Sequence, residues 1–413
     1  MERLINEEIS KESIMSTSAV LEDITKEATV WRHKIHRHPE LAYEELRTSD
    51  LIAEVLTDAG IEVFRGIGGT GVIGILRKGQ GKKSIGLRAD MDALPLSEES
   101  DLPYKSVIDK KMHACGHDGH TAMLLGAAKL LSASKGFDGT VYFVFQPAEE
   151  HLDGAYRMID DGLFDIAPAD AFFGMHNWPG LPIGHFAIRN GPMLASFDKF
   201  DIVVEGVGGH GALPHEGIDP IVIASQIVTS LQTIVSRAIN PIDSAVISVT
   251  HINSGEPSYN VIPGRAAMKG AVRSLNSESR KNIRSKIHQL VKGVVDGFGG
   301  TFKIDYEEVC PVLMNNPRDV SHAVAAAIDV VGVDRVNDQI NPVMGSEDFA
   351  AILESKPGAY IFIGNGDGVG SCMVHNPKYD FNDTAIPYGV RFWNQLVKNY
   401  LLGSSSLSSN NKT

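Results

Sequence analysis

The run Thr140-Val141-Tyr142-Phe143-Val144-Phe145-Gln146-Pro147-Ala148-Glu149-Glu150 decides how the chain reads. Thr140 to Phe145 is β-branched or aromatic throughout, which fits a strand covered on both faces, because a half-exposed strand would alternate. Strands of that kind belong to mostly parallel sheets flanked by helices, and those sheets gather their ligands beyond the carboxyl ends of the strands. This strand ends in two adjacent carboxylates. Neighbouring side chains leave an extended backbone in opposite directions, so Glu149 and Glu150 can serve two tasks at one rim. The same pair also fits a solvated surface turn.

Working outward, Ser84-Ile85-Gly86-Leu87-Arg88-Ala89-Asp90, Ala171-Phe172-Phe173-Gly174-Met175 and Ala359-Tyr360-Ile361-Phe362-Ile363 read the same way, with helical patterns between them. Asp90 and Asp92 follow the first of these, His176 follows the second, and His375 lies in the loop beyond the third. The nonapeptide Met112-His113-Ala114-Cys115-Gly116-His117-Asp118-Gly119-His120 flows directly into a helical run from Thr121 to Leu131. Cys115 and His117 are favoured ligands for borderline cations such as zinc, and a loop entering a helix holds them rigidly. A buried turn with the thiol packed as a small hydrophobe is the plainer reading of that stretch, and hydrogen-bonded loop histidines are the plainer reading of His176 and His375. Their common position on one rim favours a metal site.

Between 196 and 308 the rhythm changes to βαββαβ, with strands near 200–204, 244–249, 266–272 and 301–306 and helices over 220–237 and 277–298, the second capped at Ser277. That order predicts a ferredoxin-like α+β layer inserted into an α/β domain. The expected organisation is a discontinuous catalytic domain over 17–195 and 309–402, an inserted lid and dimerisation domain over 196–308, and a disordered Ser-rich tail over 403–413. Residues 1–16 read as a frayed, charged lead-in to a helix that ends before Pro39. A second helix runs from Thr48 to Ala59, stopped by Gly60. His33, His36 and His38 read as helix-surface residues.

With 413 residues, 43% hydrophobic and 22% charged, the chain has enough apolar material for two cores. A formal charge of −13 argues against a nucleic-acid partner. Three cysteines make no disulfide framework, the acidic start is not a secretory signal, and no membrane-length apolar run stands out. A soluble, cytoplasmic protein is the expectation.

Six stretches in order, Met112 to His120, Gln146 to Glu150, Gly174-Met175-His176-Asn177, Gly206 to His215, Met344 to Phe349 and His375-Asn376-Pro377, resemble the M20 metallopeptidase family. More narrowly they resemble its amidohydrolase branch of hippurate hydrolases, N-acyl-L-amino acid amidohydrolases and plant auxin-conjugate hydrolases, from about Trp31 to Tyr400. The resemblance implies two divalent metal ions, with Zn, Mn, Co and Ni all open. Cys115 would take the bridging place that an aspartate holds in the peptidases, with His117, Glu150, His176 and His375 as the other ligands. Glu149 would be the catalytic base. His210 would supply an oxyanion donor from a partner subunit, Asn260 and Arg273 would hold the substrate's carbonyl and carboxylate, and Gly345 and Ser346 would line the pocket. Here too plainer readings remain: a flexible glycine turn around His210, and a strand-end ion pair at Arg273. Arg88-Ala89-Asp90 stands where the peptidases carry His-x-Asp, so Arg88 replaces a ligating histidine, as in the amidohydrolase branch, and Asp90 would orient a neighbouring ligand.

The function implied is hydrolysis of an N-acyl amino acid, a small-molecule substrate, to a carboxylic acid and a free amino acid by a homodimer or higher oligomer. Alternatives are an M20-type dipeptidase or N-acetyl-diaminopimelate deacetylase and, from another class, a non-catalytic metal-binding protein.

Overall fold

The computed structural model describes residues 2–134, 136–368 and 372–402, with side chains from residue 19 onward; the tail over 403–413 lies outside the described residues. The chain divides into two compact units. One comprises Met1–Gly191, Met314–Asn341 and Ala351–Thr413, the other Pro192–Leu313 and Pro342–Ala350.

The larger unit is built on an eight-stranded sheet. Its centre is parallel: Gly139–Gln146, Ser84–Asp90, Ala171–Pro179 and Gly358–Gly366 lie side by side. Every residue of Ser84–Asp90 and of Gly358–Gly366 is buried, which is why those strands are apolar without alternation. Helix His117–Ala133 makes the crossover between the two neighbouring strands Ser84–Asp90 and Gly139–Gln146. It packs against the N-terminal helix Glu2–Arg37 and the last helix Ile386–Leu402, joining one apolar core.

Two features differ from expectation. The N-terminal helix starts at Glu2, so the segment expected to fray is helical. A hairpin of Glu62–Ile67 and Gly71–Lys78 adds an antiparallel margin to the sheet; glycines at 66, 68, 69, 71 and 74 hide its strand pattern.

The smaller unit is a four-stranded antiparallel sheet in the order Ala245–Asn253, Arg265–Ser274, Ser196–Glu205, Thr301–Cys310. Helices Pro220–Thr233 and Ser277–Phe298 pack Ile223, Ile227, Leu231, Ile283, Ile287 and Val291 onto one face, giving the ferredoxin-like arrangement. Alternate residues of Ser196–Glu205 are buried, as single-face cover requires. The cap of the second helix is Asn276, one residue before the expected Ser277, and its side chain accepts from the Glu278 and Ser279 amides. Among the described residues, Pro220–Ala238 alone has the length and apolarity to cross a membrane; five of its apolar residues, Ile223, Ala224, Ile227, Leu231 and Ile234, instead belong to this unit's core.

Register fixes the span of this sheet. Arg265 pairs with Glu205 at one end of the sheet and Ser274 with Ser196 at the other. Ten residues at roughly 3.3 Å each separate the two ends by about 30 Å.

Candidate metal centre

At the carboxyl ends of the parallel strands the larger unit brings together all five expected ligands. Cys115 and His117 flank Gly116, whose backbone sits at φ 95°. A Cβ there would lie 2.2 Å from Asn177 Oδ1, so only glycine lets the loop turn into the helix with both donors facing the rim. Glu149 and Glu150 lie on a single 3₁₀ turn entered through Ala148 at φ 55°. The Ala148 amide donates to buried Glu45 Oε1 at 3.0 Å, and Thr70 donates to Glu45 Oε2 at 2.6 Å, which anchors this unusual turn from behind. His176, expected after its strand, lies within Ala171–Pro179, which continues three residues further; its Nδ1 donates to the Asn177 carbonyl at 2.6 Å, leaving Nε2 3.3 Å from Cys115 Sγ. His375, at φ 67°, donates its amide to the Ala114 carbonyl at 2.7 Å and places Nε2 3.3 Å from Glu150 Oε1.

Two sets of donors emerge, Cys115 with His117 and His176, and Cys115 with Glu150 and His375; within each the ligand atoms lie within 4.8 Å of one another. Cys115 belongs to both. His117 Nε2 is buried with no hydrogen-bond partner among the described residues, and a buried polar atom without a partner costs about 1–3 kcal/mol; Glu150 Oε1, also buried, faces His375 Nε2 at 3.3 Å. Coordination would satisfy His117 Nε2. The electrostatics agree. Burial, then the charges of Glu150, Glu149 and Asp90, push the Cys115 thiol well up in the metal-free protein. Burial works against a charged His117, but Asp90, Asp92 and Glu150 outweigh it and raise its pKa to about 10. The site therefore attracts a cation, and the sulfur, nitrogen and oxygen set fits two divalent metals.

The positioning carboxylate differs from expectation. Asp92 Oδ1 sits 3.1 Å from His117 Nδ1, and Asp92 Oδ2 accepts the Glu150 amide at 3.0 Å, so one side chain touches two of the expected ligands. Asp90, expected in that role, is 2.6 Å from His120 Nδ1 and 2.6 Å from Arg88 Nη1, and 3.8 Å from His117 Nε2. Arg88 also donates to Gln146 Oε1 at 2.9 Å and is the buried counter-ion beneath the rim. Asp92→Asn is expected to weaken metal binding about 10- to 100-fold in chelator competition; unchanged affinity would show that His117 is oriented without it.

Behind the ligand loops, Arg32 of the N-terminal helix is fully buried. Its Nε donates to Asp118 Oδ2 at 3.0 Å, Nη1 to Asp383 Oδ1 at 3.0 Å, and Nη2 to Asp380. Asp118 adjoins His117, and Asp380 and Asp383 follow His375, so one guanidinium ties two ligand-bearing segments together. His36, expected on the surface, is buried beside it, with Nδ1 2.8 Å from Asp118 and Nε2 3.3 Å from Glu98. Burial opposes its charge, yet the hydrogen bond to Asp118 wins and raises its pKa to about 9.

The remaining candidates lie on the smaller unit, in two groups. His210 pairs with Val261, and the Gly211 amide donates to the Asn260 carbonyl at 2.8 Å. The Ala212 amide donates to His210 Nδ1 at 3.0 Å, so the neutral imidazole carries its proton on exposed Nε2. Arg273, at the opposite end of the sheet, donates through Nη1 to the Met344 carbonyl at 2.8 Å and the Ser346 hydroxyl at 2.9 Å, and the Ala195 amide donates to the Gly345 carbonyl at 2.8 Å.

A family model described as peptidase family M20/M25/M40 matches residues 86–399. The hippurate hydrolase of Campylobacter jejuni is 44% identical over 379 residues, covering 92% of this chain and 98% of that protein. Thermostable carboxypeptidase 2 of Saccharolobus solfataricus is 40% identical over 381 residues, covering 90% of this chain and 95% of its own. A solved structure of the Bacillus subtilis YXEP protein, described as a dinuclear metal binding peptidase from the M20 family, superposes with a TM-score of 0.82 at 32% identity, covering 93% of this chain and 99% of that one.

Proposed function

Because the chain belongs to peptidase family M20/M25/M40, we propose that it is a two-metal amidohydrolase that splits an N-acyl amino acid into a carboxylic acid and a free amino acid. The observation that carries this is Cys115 shared between two donor sets, with Glu149 on the same rim, its Oε2 3.8 Å from His117 Nε2.

Bound at these donors, two divalent ions (Zn, Mn, Co or Ni) would acidify water and polarise the scissile carbonyl. Glu149 takes the proton from the attacking water and returns it to the leaving nitrogen, one carboxylate acting as base and then acid. Asp92 keeps His117 and Glu150 in register while this happens. His210 donates from Nε2 to the developing oxyanion; its tautomer, set by the Ala212 amide, is the one that can. Asn260 contacts the substrate carbonyl and Arg273 its carboxylate end, beside Gly345 and Ser346. Within the smaller unit His210 and Asn260 lie in chain order beyond the Arg265–Glu205 end of the four-stranded sheet, and Arg273 is near its other end, the two ends being about 30 Å apart, which supports their serving different active sites. We therefore assign His210 and Asn260 to the active site of a neighbouring subunit, with the smaller unit, 196–308, as lid and dimerisation domain and 17–195 with 309–402 as the catalytic domain. Cys115 and Cys310 form no disulfide, which suits action in a reducing cytoplasm.

The test is chelator-stripped protein reloaded separately with Zn, Mn, Co and Ni and assayed on N-acetyl, N-benzoyl and indole-acetyl amino acids beside free dipeptides. Metal-dependent cleavage of the acylated set is expected. A preference for free dipeptides would overturn the amidohydrolase reading in favour of a peptidase.

A further inference from the structure

At the opposite end of the parallel strands from the metal donors lies a second polar cleft, with a volume of about 480 Å³. Lys83, Asp170 and Pro357 on its walls immediately precede Ser84–Asp90, Ala171–Pro179 and Gly358–Gly366. Strands of seven to nine residues put it about 25 Å from the ligand rim. Arg318, Asp319 and His322, on the first turns of helix Pro317–Val331, form the other side, closed by Tyr400.

The charges there do not cancel one another. Asp319 is 3% exposed, and its Oδ2 has no hydrogen-bond partner among the described residues; His322 Nδ1, one turn on, has none either. The Asn316 side chain already caps the helix by accepting the Arg318 amide at 3.0 Å, so Asp319 is not needed for that task. Burial raises its carboxyl pKa against the opposing charge of Arg318. An unpaired carboxylate in such a place is destabilising unless a cation meets it. Asp170 is otherwise engaged, accepting the Ser84 amide at 2.7 Å and hydroxyl at 3.1 Å. Lys83 and Arg318 stand exposed at the mouth, with Lys83 Nζ 3.4 Å from the Tyr400 carbonyl.

A bare metal ion would be repelled by Lys83 and Arg318, and a simple anion by Asp319 and Asp170. A ligand carrying both signs answers both. We propose that this cleft binds a small zwitterion of the α-amino-acid type, its carboxylate at Lys83 and Arg318 and its ammonium at Asp319, with the side chain against Tyr400 and Pro357. The site is separate from the proposed hydrolytic centre and does not depend on it.

Equilibrium dialysis of the metal-loaded enzyme with radiolabelled glycine and L-alanine tests this. Saturable binding is expected to persist after chelator removes the metals. It should fall about tenfold or more in Arg318→Met and in Asp319→Asn, the loss of one charged hydrogen bond, while both variants hydrolyse acyl amino acids at the wild-type rate without added amino acid. Acetate and methylamine, each carrying one half of the ligand, should compete at least about tenfold less well than glycine, since neither alone meets both charges. Binding that disappears with the metals, that survives both substitutions, or that methylamine displaces as well as glycine would overturn the proposal. Arg318 is exposed, so its variant decides the matter should Asp319→Asn fail to fold.

Discussion

Glu149→Gln lowers turnover of an N-acyl amino acid about 100- to 10,000-fold, the usual contribution of a positioned general acid–base, while metal content stays at the wild-type level. Glutamine keeps the shape of the side chain on its 3₁₀ turn but cannot accept the proton from water. Elemental analysis of the purified variant separates the two roles a carboxylate can have here: loss of metal would make Glu149 a ligand. The two-subunit reading adds a second consequence. His210→Ala removes the oxyanion donor and should itself cost about 100-fold or more. A mixed dimer holds one active site with both intact groups, so combining the two inactive variants should restore a measurable part of the activity. No recovery on mixing would place His210 outside its neighbour's site.

Arg32→Met destabilises the protein by about 3–5 kcal/mol, read from urea unfolding, because methionine fills the space but leaves buried carboxylates without their cation. Asp118 has no solvent exposure. Its burial favours the neutral acid, and the charge of Arg32, followed by the hydrogen bond from His36, overrides that and holds the carboxyl far below the usual carboxylate range. Removing Arg32 leaves Asp118 with His36, Asp380 with the Tyr104 hydroxyl and Asp383 with His33, and no permanent cation among them. A loss under about 1 kcal/mol would show that the cluster relaxes around the substitution, as exposed ion pairs do.

The rim was legible because strand burial and ligand placement follow from one rule. Apolar runs without alternation marked the central strands, and their carboxyl ends carried Glu149, Glu150 and His176, with Cys115 and His117 entering the crossover helix. Other features were hidden for physical reasons. Asp90 and Asp92 are two residues apart and face the same way at a strand end, so the one that meets His117 is decided by where Arg88 and His120 lie, which spacing does not reveal. His36 read as a surface residue because polar helix positions usually face water, and Arg32 carried no motif that singled it out. Their partners, Asp118, Asp380 and Asp383, are far away in the chain and become visible only once the helices pack. The hairpin over 62–78 was masked by its glycines. That His210 lies beyond one end of the four-stranded sheet while Arg273 sits near the other depends on strand register, which sequence spacing does not give.

The interruption of the larger unit orders events on the ribosome. Pro192–Leu313, most of the smaller unit, has emerged before Gly358–Gly366 and can begin to fold while the other core is still incomplete. Until Gly358–Gly366 arrives, Ala171–Pro179 lacks the parallel neighbour that will cover its flank, and His176 stands on an open edge. The nascent chain at that stage already holds Cys115, His117 and His176, the first donor set entire, but not His375 of the second. A product stopped short of Gly358 therefore has one of the two proposed donor sets and an open sheet margin. Completing the second donor set and closing the sheet are the work of the same late segment.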